Sequence, residues 1–133
     1  MKTVFADTFY FLALLGTREP RHVEAVAASL DTQLRIVTTE CVLTEVGDAC
    51  SDPRDRPDFV ALYRSLVEHP RVKVIVSDTR LFQRGVDLFE KRPDKDWSVT
   101  DCISFVVMEE QGIREALTAD KDFEQAGFVA LLR

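Results

Sequence analysis

Long apolar runs are missing from this chain. The two strongest, residues 9–15 and 102–108, fall far short of the roughly 20 residues that a membrane-spanning helix requires. The segment Met1-Lys2-Thr3-Val4-Phe5 lacks the extended apolar region and small-residue cleavage site of a secretion signal. A cytoplasmic protein without a membrane partner is therefore expected. Cysteine is scarce. Cys41, Cys50 and Cys102 are odd in number and show no CxxC spacing, which argues against a disulfide framework, and they read as small core residues. His22 and His69 stand apart from them and from each other, so a zinc site is not supported and each reads as a surface or capping residue. A GxGxxG pattern is absent, which removes a dinucleotide-binding crossover.

Positive charge is also in short supply. The formal net charge is −6, which argues against broad, tight, non-specific nucleic-acid binding, because phosphates need a basic surface. An acidic site can hold four of those negative charges by itself, so the balance does not exclude a nucleic-acid substrate.

What the chain does have is alternation. With 133 residues, 46% of them hydrophobic, it suits one globular domain with one core. Residues 3–6 read as a buried strand, followed by an apolar helix from Thr8 that Gly16 ends. Val23, Val26, Ala27 and Leu30 keep helical spacing, as do Phe59, Leu62, Tyr63 and Leu66. These two stripes are expected to pack on the sheet rather than to form a dimer or antitoxin interface. Residues 35–38 and 72–76 are strand-like, and residues 39–50 are helical. Ser77, Asp78 or Thr79 caps a helix carrying Leu81, Phe82, Gly85, Val86 and Phe89 on one face. A mostly buried helix over residues 98–111 ends at Gly112, and short strands follow at 116–119 and 128–132. Such alternation predicts a single α/β domain over residues 1–133 with a largely parallel sheet.

Four acids fall where strand gives way to helix: Asp7, Glu45, Asp101 and Asp120. In an α/β sheet such positions gather at the carboxyl edge of the strands, where ligands bind. At about 5 Å and an effective dielectric of about 20, each pair of carboxylates repels by roughly 3 kcal/mol. A site of this kind needs protons or a divalent cation, and oxygen-only ligands favour magnesium or manganese. Each acid also has an ordinary reading. Asp7 can cap the helix at Thr8, Ser98 and Asp101 have capping-box spacing, Asp120 can cap a short helix, and Glu45 can face solvent. Asp122 either completes the group or is solvated, with a secondary role favoured.

The order and spacing of these pieces resemble a PIN domain of the VapC toxin type, found in bacterial and archaeal toxin–antitoxin pairs. The matching elements are Asp7-Thr8 after an apolar strand, Glu45 in TTECVLTEV, SVTD ending in Asp101, and ALTADKDFEQAGF with Asp120 as the fourth acid. The resemblance covers nearly the whole chain. It implies a parallel five-stranded sheet flanked by helices, with the acids at its carboxyl edge. It also implies magnesium- or manganese-dependent hydrolysis of RNA phosphodiester bonds, a homodimer, and inhibition by a cognate antitoxin. Under this reading Asp7 and Asp101 are the principal metal ligands, with Glu45 and Asp120 acting on a second ion or through water. Thr8 supports a ligand or a phosphate, and Ser98 serves chiefly as a helix cap. Lys91, Arg92 and Lys95, or Arg18 and Arg21, are candidate phosphate contacts, although charge runs are more often plain solvated surface. Trp97 is expected to pack over the helix start rather than stack on a base.

Two other readings compete. One is a phosphoryl-transfer domain with an aspartate after its first strand, either a phosphatase or a receiver; the phosphatase type wants a second aspartate two residues on, where this chain has Phe9. A receiver domain wants paired acids near the first strand end and a late lysine, for which Lys121 is a poor fit. The non-enzymatic alternative is a PIN-like module that binds nucleic acid or protein without robust cleavage.

Overall fold

The apolar segment behind the amino terminus forms β1 (Lys2–Ala6), whose last three residues are fully buried. The computed structural model describes residues 1–133. Burial on both faces is what a central parallel strand requires, and β1 is central. The sheet has the order β3-β2-β1-β4-β5, and every pairing in it is parallel. Its other strands are β2 (Leu34–Thr39), β3 (Val72–Ile75), β4 (Glu115–Leu117) and β5 (Val129–Ala130). The chain steps from β1 to β2 on one side and later returns to place β4 on the other, so the strand order reverses beside β1. That reversal marks where ligands bind in such sheets.

Seven helices cover the sheet: α1 (Thr8–Leu15), α2 (His22–Leu30), α3 (Glu40–Ala49), α4 (Arg56–Glu68), α5 (Thr79–Lys91), α6 (Val99–Gln111) and α7 (Lys121–Gln125). Helix α6 is the most deeply placed, with seven consecutive residues, Cys102 to Met108, buried. It stops at Gly112, whose φ of 68° is the left-handed conformation that glycine adopts without strain. Phe105 meets the rings of Trp97 and Phe123 edge-on at 5.0 and 4.9 Å. This aromatic trio fixes the start of α6 against α7, and so sets the spacing of the acids both helices carry. Helix α5 lies against α6 through Gly85, where a Cβ would collide with the side chain of Ile103. No helix is long and apolar enough to cross a membrane.

Several expectations change here. The last two strands are shorter than expected, β4 ending at Leu117 and β5 holding only two residues, while Asp120 is the N-cap of α7, as its helix-cap reading expected. The face on α5 splits. Leu81 and Gly85 are buried, while Phe82, Val86 and Phe89 are exposed. The stripe on α2 is mostly turned outward, since Val23 and Leu30 are exposed and Ala25 and Ala28 make the packing. On α4, Leu66 is buried and Phe59 and Leu62 pack on the core, as expected, but Tyr63 is exposed. Cys50 and Cys102 are buried as expected, whereas Cys41 is half-buried, with Sγ 3.5 Å from the Ser77 hydroxyl.

Candidate active site

At the carboxyl edge of β1, Asp7, Thr8, Phe9, Glu45, Ser98, Asp101, Ala119 and Asp120 line one open cavity of about 500 Å³. Four segments distant in sequence supply its acids. Asp7 follows β1, Glu45 sits on α3, Asp101 opens α6 and Asp120 precedes α7.

Asp7 is buried and stands at the N-cap position of α1, yet its side chain makes no capping hydrogen bond there. Its Oδ2 instead accepts from the Thr118 hydroxyl at 2.9 Å. Burial pushes its pKa up to about 6; hydrogen bonds from Thr118 and the Thr8 backbone oppose this, and the charges of Asp120 and Glu45 reinforce it. A carboxylate this desolvated is costly unless something compensates it. The helix-cap reading therefore does not account for Asp7.

Asp101 does both jobs. It forms a full capping box with Ser98, whose hydroxyl accepts from the Asp101 N–H at 3.0 Å, while Asp101 Oδ2 accepts from the Ser98 N–H at 3.2 Å. Its pKa is nonetheless pushed up to about 7, first by burial and then by Asp7 and Asp120. Asp120 caps α7 by accepting from the Asp122 N–H at 2.8 Å. Glu45 is not simply solvated: its Oε1 accepts from the Thr8 hydroxyl at 2.6 Å.

The tightest group is Asp101, Asp120 and Asp122, each of which offers a carboxylate oxygen within 4.8 Å of the others. Asp122 thus sits beside Asp101 and Asp120, although it does not line the cavity itself. Its pKa is raised by burial and by Asp120. The structure also exposes a residue that the sequence reading passed over, the buried Thr118, which touches Asp7 directly. The cavity lining offers carboxylate and hydroxyl oxygens and neither thiol nor imidazole. Desolvated, mutually repelling carboxylates with oxygen-only donors suit a hard divalent cation such as magnesium or manganese.

Trp97 is buried, with Nε1 donating to Gln125 at 3.2 Å and the Arg92 guanidinium 5.0 Å from its ring. It packs rather than offering a free stacking face. Arg21 is committed to the Leu132 carbonyl and to Glu24, and Arg92 to Asp94.

A sequence profile of the PIN domain matches residues 4–129. The chain belongs to the PIN-domain family. Among characterised PIN proteins it is 28% identical over 130 residues, 95% of each chain, to VapC20 of Mycobacterium tuberculosis, named a 23S rRNA-specific endonuclease. The crystal structure of VapC20, described as a sarcin–ricin loop cleaving toxin, superposes with a TM-score of 0.86 at 25% identity, covering 98% of this chain and 99% of that one. The fold recurs in VapBC2 of Rickettsia felis bound to a promoter DNA fragment, with a TM-score of 0.69, 10% identity and 96% of each chain covered. It recurs again in FitAcB of Neisseria gonorrhoeae, with a TM-score of 0.67, 15% identity, and 98% of this chain and 96% of that one covered. PIN nucleases generally depend on divalent metal, and this PIN domain has the acidic cluster that such dependence requires.

Proposed function

We propose that this PIN domain is a magnesium- or manganese-dependent endoribonuclease, the toxin of a type II toxin–antitoxin pair acting in the cytoplasm. One observation carries the reading: acids from four separate segments line a single open cavity at the strand-order reversal, two of them with strongly raised pKa values. In this reading Asp7 and Asp101 are the principal cation ligands, and Glu45, Asp120 and Asp122 complete the donor set. Thr8 holds Glu45 in place, and Ser98 holds the turn from which Asp101 projects. Bound magnesium or manganese would supply Lewis acidity toward the phosphate and a lowered pKa for the attacking water. The carboxylates need that cation also as a counter-charge, since RNA brings further negative charge to an acidic cavity.

The likeness to VapC20 makes a structured ribosomal RNA loop the first substrate to try. A cognate antitoxin and a second copy of the chain are the proposed protein partners. The exposed stripe Phe82, Val86 and Phe89 on α5 is the apolar surface offered for pairing with that copy.

The test is cleavage of ribosomal RNA and of a mixed RNA pool in magnesium, manganese or EDTA, with Asp7→Asn as control. Metal-dependent cleavage that the variant loses supports the reading. A folded, antitoxin-free protein that cleaves nothing under any metal would favour the binding-module alternative. Full activity in a folded Asp101→Asn variant would remove Asp101 from the ligand set.

A further inference from the structure

We propose that Thr118 is a positioning residue of the acidic site, its single hydroxyl holding Asp7 and Asp120 in a fixed relation for cation binding. The inference rests on the nuclease reading and names a residue that reading does not use. Register places it there. Ala6 of β1 pairs with Leu117 of β4, so the next residues, Asp7 and Thr118, leave the sheet side by side. Thr118 is fully buried. Its hydroxyl donates to Asp7 Oδ2 at 2.9 Å and accepts from the Asp120 backbone N–H at 3.1 Å. A hydroxyl has one proton and two lone pairs, so its only proton is committed to Asp7.

Neither bond is needed to complete an element. Strand β4 ends at Leu117, and α7 is capped by the Asp120 side chain. The Thr118 backbone has partners of its own, its N–H donating to the Ala116 carbonyl and its carbonyl accepting from the Leu132 N–H, each at 3.0 Å. Valine has nearly the same shape and suits a buried strand end, so the hydroxyl is what sets residue 118 apart. Through it, one side chain ties the acid after β1 to the acid after β4, across the point where the strand order reverses. Hydrogen bonds that orient ligating carboxylates typically govern metal affinity by 10–100-fold.

The test compares wild type with Thr118→Val, and Thr118→Ser with Thr118→Ala. The members of the second pair differ in the hydroxyl alone. Manganese binding is measured by calorimetry below the melting temperature of every variant, alongside kcat and KM for RNA cleavage. The Val and Ala variants are expected to bind manganese roughly 10–100-fold more weakly and to lose kcat rather than KM, while Ser stays close to wild type. Val and Ala variants with lowered melting temperatures but unchanged manganese affinity would assign Thr118 a purely structural role and overturn the inference, leaving the nuclease reading standing. A wild type that binds no manganese would sink both. Should Thr118→Val fail to fold, the Ser–Ala pair decides.

Discussion

The Thr8 hydroxyl donates to Glu45 Oε1 at 2.6 Å, joining the first residue of α1 to the middle of α3. Glu45 is the one acid of the cavity supplied from the middle of a helix rather than from a helix start, and as a glutamate its side chain has the most freedom to lose. Thr8→Val removes the donor at nearly constant volume. Cleavage is expected to fall about 10–100-fold, with little change in melting temperature, and Thr8→Ser should retain activity. Equal rates for Thr8→Val and wild type would mean that Glu45 needs no such hold.

Ser98 tests the division between capping and catalysis. Losing its hydroxyl breaks one half of the capping box but leaves the Ser98 N–H to Asp101 bond intact. Ser98→Ala should therefore cost about 1 kcal/mol in urea unfolding and leave most of the cleavage activity. Abolished cleavage at unchanged stability would instead put the Ser98 hydroxyl on the substrate.

The site was largely legible because its acids sit where periodicity changes. Asp7 and Asp101 adjoin strongly apolar segments, which is where a charge must be explained. Thr118 was not legible. Inside the run Ala116 to Ala119 a threonine looks like an ordinary strand residue, and its partner Asp7 lies 111 positions away. Only the register of β1 on β4 brings the two together. The closeness of Asp122 to Asp101 was not legible for a related reason, since it depends on how α7 docks against α6. On α5, helical spacing grouped Phe82, Val86 and Phe89 with Leu81 and Gly85, but spacing cannot tell a face turned to the core from one turned outward.

That outward stripe carries the third prediction. Phe82, Val86 and Phe89 are 55%, 38% and 48% exposed and recur at helical intervals. Isolated exposed apolar residues are ordinary, whereas a contiguous row marks an interaction surface. If the proposed homodimer uses it, a Phe82→Lys, Phe89→Glu double variant should sediment as a folded monomer. A variant that stays dimeric assigns the interface elsewhere.

The last prediction concerns pH. Asp7 is pushed up to about 6 and Asp101 to about 7, each first by burial. Without metal, the folded protein holds protons that the unfolded chain, with its ordinary value of 3.8, has released. Excess protons on the folded state mean that stability falls as pH rises from 3.8 through about 7. For Asp7 alone the shift corresponds to roughly 3 kcal/mol lost by neutral pH. Asp52, Asp94 and Glu110 work in the opposite sense, held low by Arg54, Arg92 and Arg80. They lie at the surface, where solvent screens them, and they act at the acid end of the range. In EDTA the melting temperature should therefore drop between about pH 5 and 7.5. Asp7→Asn should flatten that slope and melt higher than wild type at the upper end. Magnesium or manganese competes with protons for the same oxygens, so adding either should raise the melting temperature most at the upper end. A metal-free profile that climbs across this range would show that Asp7 and Asp101 are not the desolvated carboxylates on which the proposed chemistry depends.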